Sequence, residues 1–314
     1  MQMKKCLLIG GAGFIGTNMG ACLVQAGYKV TVCDCVEETL LSQRLAGAVY
    51  LQKNYFEQLP EDELLEQQDI VILLISSVGP DTSMTNSKVC YGEDIVRLID
   101  LLDHMRRCNV KRLVFISSGG TVYGNQNVFK LKEDMTAYPI NHYGIMKLAQ
   151  EKILLMYNEL YGMHNVIFRL ANPYGEGQKM SSGIGAVTAF LQRIIQGKEI
   201  SVYGQGKAIR DYIYIEDAVN MIRLFLDREM EEPEKVKAIY NIGTGEGTSI
   251  IEVLHLAEKI TKRLAKVVYQ EKREFDVTRN VLDITKICSA IGDYKCRGLE
   301  AGMEAYYRIL KEES

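Results

Sequence analysis

Short unbroken apolar runs alternate along the chain with longer stretches in which apolar positions recur every three or four residues. The runs at 4–9, 29–33, 48–52, 70–75, 112–116 and 166–170 predict strands. The periodic stretches predict helices from the glycines after residue 9 to about 26, and over 61–67, 92–108 and 143–161. A strand apolar at every position needs cover on both faces, and amphipathic helices between such strands supply it. The pattern therefore predicts an α/β chain with a parallel sheet between two helical layers. Ligands gather at the carboxyl ends of strands in such sheets, which points to the segments beginning at Gly10, Asp34, Ser76, Ser117 and Asn172.

Beyond residue 170 the pattern changes. A turn-rich loop from Asn172 to Gln178 precedes a helix over 184–196, a polar and aromatic stretch from Tyr203 to Tyr212, and a helix over 215–226. A charged linker over 229–237, a strand over 238–242, a loop from Gly243 to Gly247 and two or three helices complete the chain. The expected division is a dinucleotide-binding part over 1–170, to which 211–242 returns, and a smaller interleaved substrate-binding part over 171–210 and 243–314.

The Gly10-Gly11-Ala12-Gly13-Phe14-Ile15-Gly16 segment sits between a strand and a helix. Gly10, Gly13 and Gly16 there suit a tight turn, close backbone approach to a pyrophosphate and packing of the helix on the sheet, with Phe14 and Ile15 opening the helix. That context makes the fold a Rossmann-type doubly wound sheet. Asp34 ends the next strand about twenty residues on, placed to accept hydrogen bonds from ribose hydroxyls and to repel a 2′-phosphate, so the expected cofactor is NAD. Tyr143 and Lys147 share a helix face at i and i+4. A cation beside a phenol favours phenolate, so the Tyr143 pKa is expected to fall and the residue to serve as a base.

Composition removes other classes. The chain has 314 residues, 47% of them apolar and 25% charged, as a large globular α/β unit with an annex would have. A net charge of −3 and a pI near 5.9 give no reason to expect nucleic acid or an anionic membrane. No run approaches the roughly 20 apolar residues of a membrane span, and the lysine-led start passes at once into glycines, as a strand would. The eight cysteines are scattered and fit reduced thiols in the cytoplasm; Cys33-Asp34-Cys35 lacks a second pair at zinc spacing, and the four histidines form no pair at ligand spacing, so no metal is expected.

These pieces, with Ser117-Ser118-Gly119-Gly120-Thr121-Val122-Tyr123-Gly124, Glu151, Arg169, Asn172 to Gly175, Arg210-Asp211-Tyr212, Tyr240 to Gly243 and Asp283 to Lys286, occur in one order over nearly the whole chain. In that order the sequence resembles the extended short-chain dehydrogenase/reductase family, and within it the NAD-dependent nucleotide-sugar epimerase/dehydratase group that includes UDP-galactose 4-epimerase. The resemblance implies that Tyr143 is the base and that Lys147 lowers its pKa and holds the nicotinamide ribose. It implies a Ser or Thr on the reacting hydroxyl; that position holds Gly119, leaving Thr121, the preferred candidate, or Ser118 to supply it, or Tyr143 to work with less help. Dehydratases and decarboxylases of the group have acids in this loop, and Ser118 to Thr121 contains none, which argues against a dehydratase, while the NAD-favouring Asp34 argues against a reductase; the expected reaction is epimerisation at C4 of a UDP-hexose or UDP-N-acetylhexosamine. A non-catalytic NAD-binding protein is the third reading. Arg210, Arg273 and Asn172 are candidates for the substrate diphosphate. Two smaller departures are Asn54, where the family often has Asp near the adenine, and Asp94, near a position often Asn. In this family the helices over 92–108 and 143–161 commonly build a dimer contact, so a homodimer is expected.

Overall fold

The computed structural model describes residues 3–38, 43–57, 62–178, 185–229, 238–273 and 276–312. The strands are β1 (Lys5–Ile9), β2 (Lys29–Asp34), β3 (Val49–Gln52), β4 (Ile70–Leu73), β5 (Leu113–Ser118), β6 (Val166–Leu170), β7 (Asn172–Tyr174), β8 (Glu199–Tyr203), β9 (Ile209–Tyr214), β10 (Ile239–Ile242), β11 (Gly247–Ser249), β12 (Lys266–Gln270) and β13 (Arg279–Asn280). The helices are α1 (Phe14–Gln25), α2 (Asp62–Glu66), α3 (Ser87–Val89), α4 (Val96–Arg107), α5 (His142–Tyr161), α6 (Ala186–Ile195), α7 (Ile215–Glu229), α8 (Ile250–Thr261), α9 (Thr285–Ile291) and α10 (Leu299–Glu312).

Seven parallel strands form the main sheet in the order β10-β6-β5-β4-β1-β2-β3. Successive side chains of a strand point to opposite faces, so an all-apolar strand feeds two cores. Cys6, Leu8, Ile70, Ile72, Val114 and Ile116 pack with Met19 and Leu23 of α1, Phe225 of α7 and Ile287 of α9. Leu7, Ile9, Val71, Leu73, Leu113 and Phe115 pack with Leu65 of α2, Leu98 and Leu102 of α4 and Leu154 of α5. The fold is thus the expected doubly wound α/β sheet. Chain order reverses between β1 and β4, and the crevice outside their carboxyl ends is where such sheets take ligands.

A third core gathers α6, α8 and α10 against β8 and β9. Here β9 is paired with β7 and β13 in parallel and with β11 antiparallel, while β8 pairs with β12. The stretch over 203–212, expected to carry a motif, runs from the last residue of β8 through a turn into the first four residues of β9, whose buried residues are Asp211, Tyr212, Ile213 and Tyr214 rather than a plain apolar run. The expected strand over 70–75 ends at Leu73; Leu74 N still donates to Ile9 O at 2.9 Å, and the chain then turns away from the sheet. The expected helix over 92–108 is interrupted: Cys90–Ile95 is π-helical before α4 begins. Of the sequence expectations, Glu61, Ile184 and the linker residues 230–237 lie outside the described residues. No helix among the described residues is long and apolar enough to cross a membrane.

Candidate active site

Two adjoining clefts open at the carboxyl ends of the central strands. The first, ≈ 660 Å³, is lined by Gly10, Ala12, Gly13 and Phe14 after β1, Asp34 at the end of β2, Lys53 to Phe56 after β3, and Leu74 to Ser76 after β4. The second, ≈ 590 Å³, shares Leu74, Ile75, Ser76 and Gln178 with the first, and runs past Ser118, Thr121, Tyr143 and Lys147 to Asn172, Arg210 and Arg273. One continuous crevice therefore brings the predicted dinucleotide residues to the predicted chemical residues. Ile15 lines the second cleft and Gly16 neither.

The first cleft is shaped by backbone. Gly10 has φ +81°, a left-handed conformation that favours glycine, and at Gly16 a Cβ would fall 2.5 Å from Gly11 Cα. Gly13, the N-cap of α1, makes no side-chain cap, so the first N–H groups of the helix remain available to an anion. Asp34 Oδ2 accepts from Ala12 N at 2.9 Å and Oδ1 from Val36 N at 3.2 Å, tying the glycine turn to the end of β2.

The second cleft is set by the start of α5. Asn141 caps it, its Oδ1 accepting from Gly144 N at 2.8 Å. Gly144 lies so close to Thr121 O that a Cβ there would approach to 2.8 Å, which holds Tyr143 and Lys147 against the turn after β5. Lys147 is buried; its Nζ donates to Ile116 O at 3.2 Å and lies 5.6 Å from the centroid of the Tyr143 ring. Burial pulls the Lys147 ammonium down to about 8, against Asp94 and Glu151, which hold it up. The expected fall of the Tyr143 pKa is not what this geometry produces. Burial raises it, and Asp94 and Cys90 add to the rise. Desolvation of the phenol, which is only partly exposed at the cleft, disfavours its anion.

The turn after β5 resolves the departure at Gly119. A Cβ on Gly119 would lie 2.7 Å from Leu282 Cδ1, 3.0 Å from Arg169 O and 3.1 Å from Leu170 O. Position 119 thus faces β6 and Leu282, not the cleft, whereas Ser118, Gly120 and Thr121 line it. Thr121 Oγ1 is buried with no hydrogen-bond partner among the described residues. Ser118 Oγ and Asn172 Oδ1 converge over Gly120, each under 4 Å from where its Cβ would stand.

Sequence reasoning missed two supports. Asp94, turned inward by the π-helical segment, accepts from Ser76 Oγ at 3.0 Å, Ser77 N at 2.9 Å and Ser77 Oγ at 2.6 Å, fixing the wall common to both clefts. Behind the turn, Glu151 accepts from Ser117 Oγ at 2.6 Å and from Arg169 Nη2 at 2.7 Å, and the Arg169 guanidinium stacks on Tyr123. Both charges are buried, and removing one would strand the other at a cost of about 3–5 kcal/mol. Glu151 and Arg169 stood in the sequence, but only their contact across α5 and β6 shows the role.

At the far end, Arg210 is largely buried; its Nη1 donates to Ile209 O at 2.9 Å, and burial, with Arg273 nearby, draws its pKa down. Arg273 is bidentate to Asp276 at 3.0 Å, reaches Asp81 at 3.5 Å and stacks on Tyr203. One amide hydrogen of Asn172 is spent on Asp211 O at 2.8 Å.

Residues 6–243 match the NAD dependent epimerase/dehydratase family, as that family is described. The chain belongs to this family. The dTDP-4-dehydro-6-deoxyglucose reductase of Escherichia coli is 27% identical over 312 residues, 97% of each chain. The UDP-glucose 4-epimerase of Thermotoga maritima, solved with UDP-glucose, superimposes with a TM-score of 0.85 at 28% identity, covering 98% of this chain and 99% of that one. The UDP-glucose 4-epimerase of Thermus thermophilus, solved with NAD, gives a TM-score of 0.86 at 25% identity over 99% and 100%. NAD is the cofactor of the family, and the first cleft fits it: an uncapped helix start for the pyrophosphate, and a carboxylate at the end of β2 for the ribose.

Proposed function

We propose that the protein epimerises a nucleotide sugar at C4, on a UDP-hexose or UDP-N-acetylhexosamine. The observation that carries this reading is the stretch of cleft where Tyr143 and Lys147 meet Ser118 and Thr121 with no carboxylate in the Ser118 to Thr121 turn. Bound NAD supplies the acceptor and donor of hydride. Tyr143 takes the proton of the sugar hydroxyl as the carbon loses hydride, leaving a ketone, and returns it when hydride comes back to the other face. Because burial raises the phenol, Tyr143 relies on the Lys147 ammonium to favour its anion. Thr121, whose hydroxyl has no partner among the described residues, or Ser118 positions the reacting oxygen. Arg210 holds the substrate diphosphate with Asn172, and Arg273 joins them by exchanging Asp81 or Asp276 for phosphate oxygens.

Assembly and compartment follow from the same reading. Val96 and Ile99 of α4 and Ile145, Met156 and Leu160 of α5 are exposed, whereas Leu98, Leu102, Met105, Met146 and Tyr157 are buried within the chain. The exposed set would cover itself in a homodimer. All eight cysteines are free, as suits the cytoplasm.

The test is proton NMR of the protein with NAD and a panel of UDP-, dTDP- and GDP-sugars. Growth of a C4 epimer of equal mass without net NADH, abolished in Tyr143→Phe, is expected. A product lighter by one water supports a dehydratase, stoichiometric consumption of NADH on a keto sugar supports a reductase, and either overturns the epimerase. No turnover with NAD still bound supports the non-catalytic protein.

A further inference from the structure

Away from the chemistry of the clefts, the fold assembles a cluster of side chains that spacing between histidines does not reveal. His104 and Cys108 lie four residues apart at the end of α4, so they project from one face. Asp62, the first residue of α2, meets them there. His104 Nε2 is 2.8 Å from Asp62 Oδ1, and one ligand atom from each of Asp62, His104 and Cys108 lies within 4.8 Å of the other two. His104 and Cys108 are buried, while Asp62 is exposed and leaves a path from solvent.

We propose that Asp62, His104 and Cys108 form a binding site for a zinc-like divalent transition metal, with water at the fourth position. A thiolate, an imidazole and a carboxylate suit such an ion, and the two anionic ligands balance its charge. The Asp62 and His104 ligand atoms need little movement, and Cys108 Sγ lies no more than 4.8 Å from either. Nitrogen and oxygen on one tetrahedral zinc ion stand about 3.3 Å apart at the usual bond lengths, so the Asp62 to His104 contact opens by about half an ångström. The imidazole is also held from behind: Tyr55 Oη lies 3.0 Å from His104 Nδ1, so with the metal on Nε2 the Nδ1 proton is donated to the phenol oxygen.

Binding displaces the thiol proton of Cys108 into solvent and takes no electron from any group. Because the thiolate is the ligand, affinity rises with pH. The ion would staple the five-residue α2 to α4. Through His104 and Tyr55 it would also brace the wall of the dinucleotide cleft, which Tyr55 lines.

The experiment uses tag-free, chelator-stripped full-length protein titrated with Co²⁺ as a spectroscopic probe and then with Zn²⁺. One Co²⁺ per chain is expected, with a thiolate-to-cobalt charge-transfer band that Zn²⁺ erases, and a melting temperature raised by Zn²⁺. Cys108→Ser should abolish the band and weaken Zn²⁺ binding at least about tenfold. A wild-type protein that binds neither ion overturns the proposal and leaves the trio a Tyr55–His104–Asp62 hydrogen-bond chain. So does binding that Cys108→Ser leaves unchanged.

Discussion

Gly119→Ser restores the residue type that the family usually carries in the turn after β5, and the structure says that it will harm the protein rather than help it. The new Cβ would meet Leu282 Cδ1 at 2.7 Å and the Arg169 and Leu170 carbonyl oxygens at 3.0 and 3.1 Å. Leu282 is fully buried, though the end of its side chain can turn. The two carbonyls cannot yield as cheaply. Leu170 O accepts from Gly119 N at 2.8 Å, and Asn280 Nδ2 donates to Gly119 O at 2.7 Å, so backbone is pinned on both sides of the intruding carbon. Gly119 does not have positive φ, so the cost is steric and not conformational. Overpacking of this kind costs about 1–3 kcal/mol, which lowers the melting temperature of a chain this long by a few degrees, to about 10 °C at most. Thermal unfolding by circular dichroism measures that loss, and initial rates on the sugar found by NMR measure function at a temperature where both proteins are folded. The expected result is a lower midpoint with no gain in turnover. A variant as stable as wild type and faster would mean that position 119 faces the substrate, and would sink the assignment of the hydroxyl to Thr121 or Ser118.

Two further outcomes follow from the surroundings of the site. Asp94→Asn keeps an oxygen for Ser77 N but removes the negative charge that raises Tyr143 and Lys147. With it gone both pKa values fall, phenolate is populated at lower pH, and the acid limb of the rate profile moves down; Glu93, Arg97, Cys90 and Glu151 are the other titratable groups around this wall and are unchanged. A limb that stays or moves up refutes the electrostatic role. Leu160→Glu puts a charge in the exposed apolar stripe of α5, so sedimentation velocity should find a dimer for wild type and a monomer for the variant; a monomeric wild type at micromolar concentration refutes the dimer.

What the sequence determined by itself is what local spacing encodes. Two-sided apolar runs dictated a parallel sheet, Gly10, Gly13 and Gly16 after a strand dictated a nucleotide turn, and the i, i+4 spacing of Tyr143 and Lys147 put them on one helix face. These features depend on neighbours in the chain, so the periods of strand and helix reveal them. The short strands β7, β11 and β13 escaped because two or three residues carry no period. Tertiary structure alone decided the rest, because contact partners and burial are not functions of spacing. It turned position 119 into the core, joined Glu151 to Arg169, and brought Asp62 to His104 and Cys108. It also reversed the Tyr143 shift: in the chain a cation four residues away argues for phenolate, but how much water the phenol has lost is known only once α5 is packed on the turn after β5.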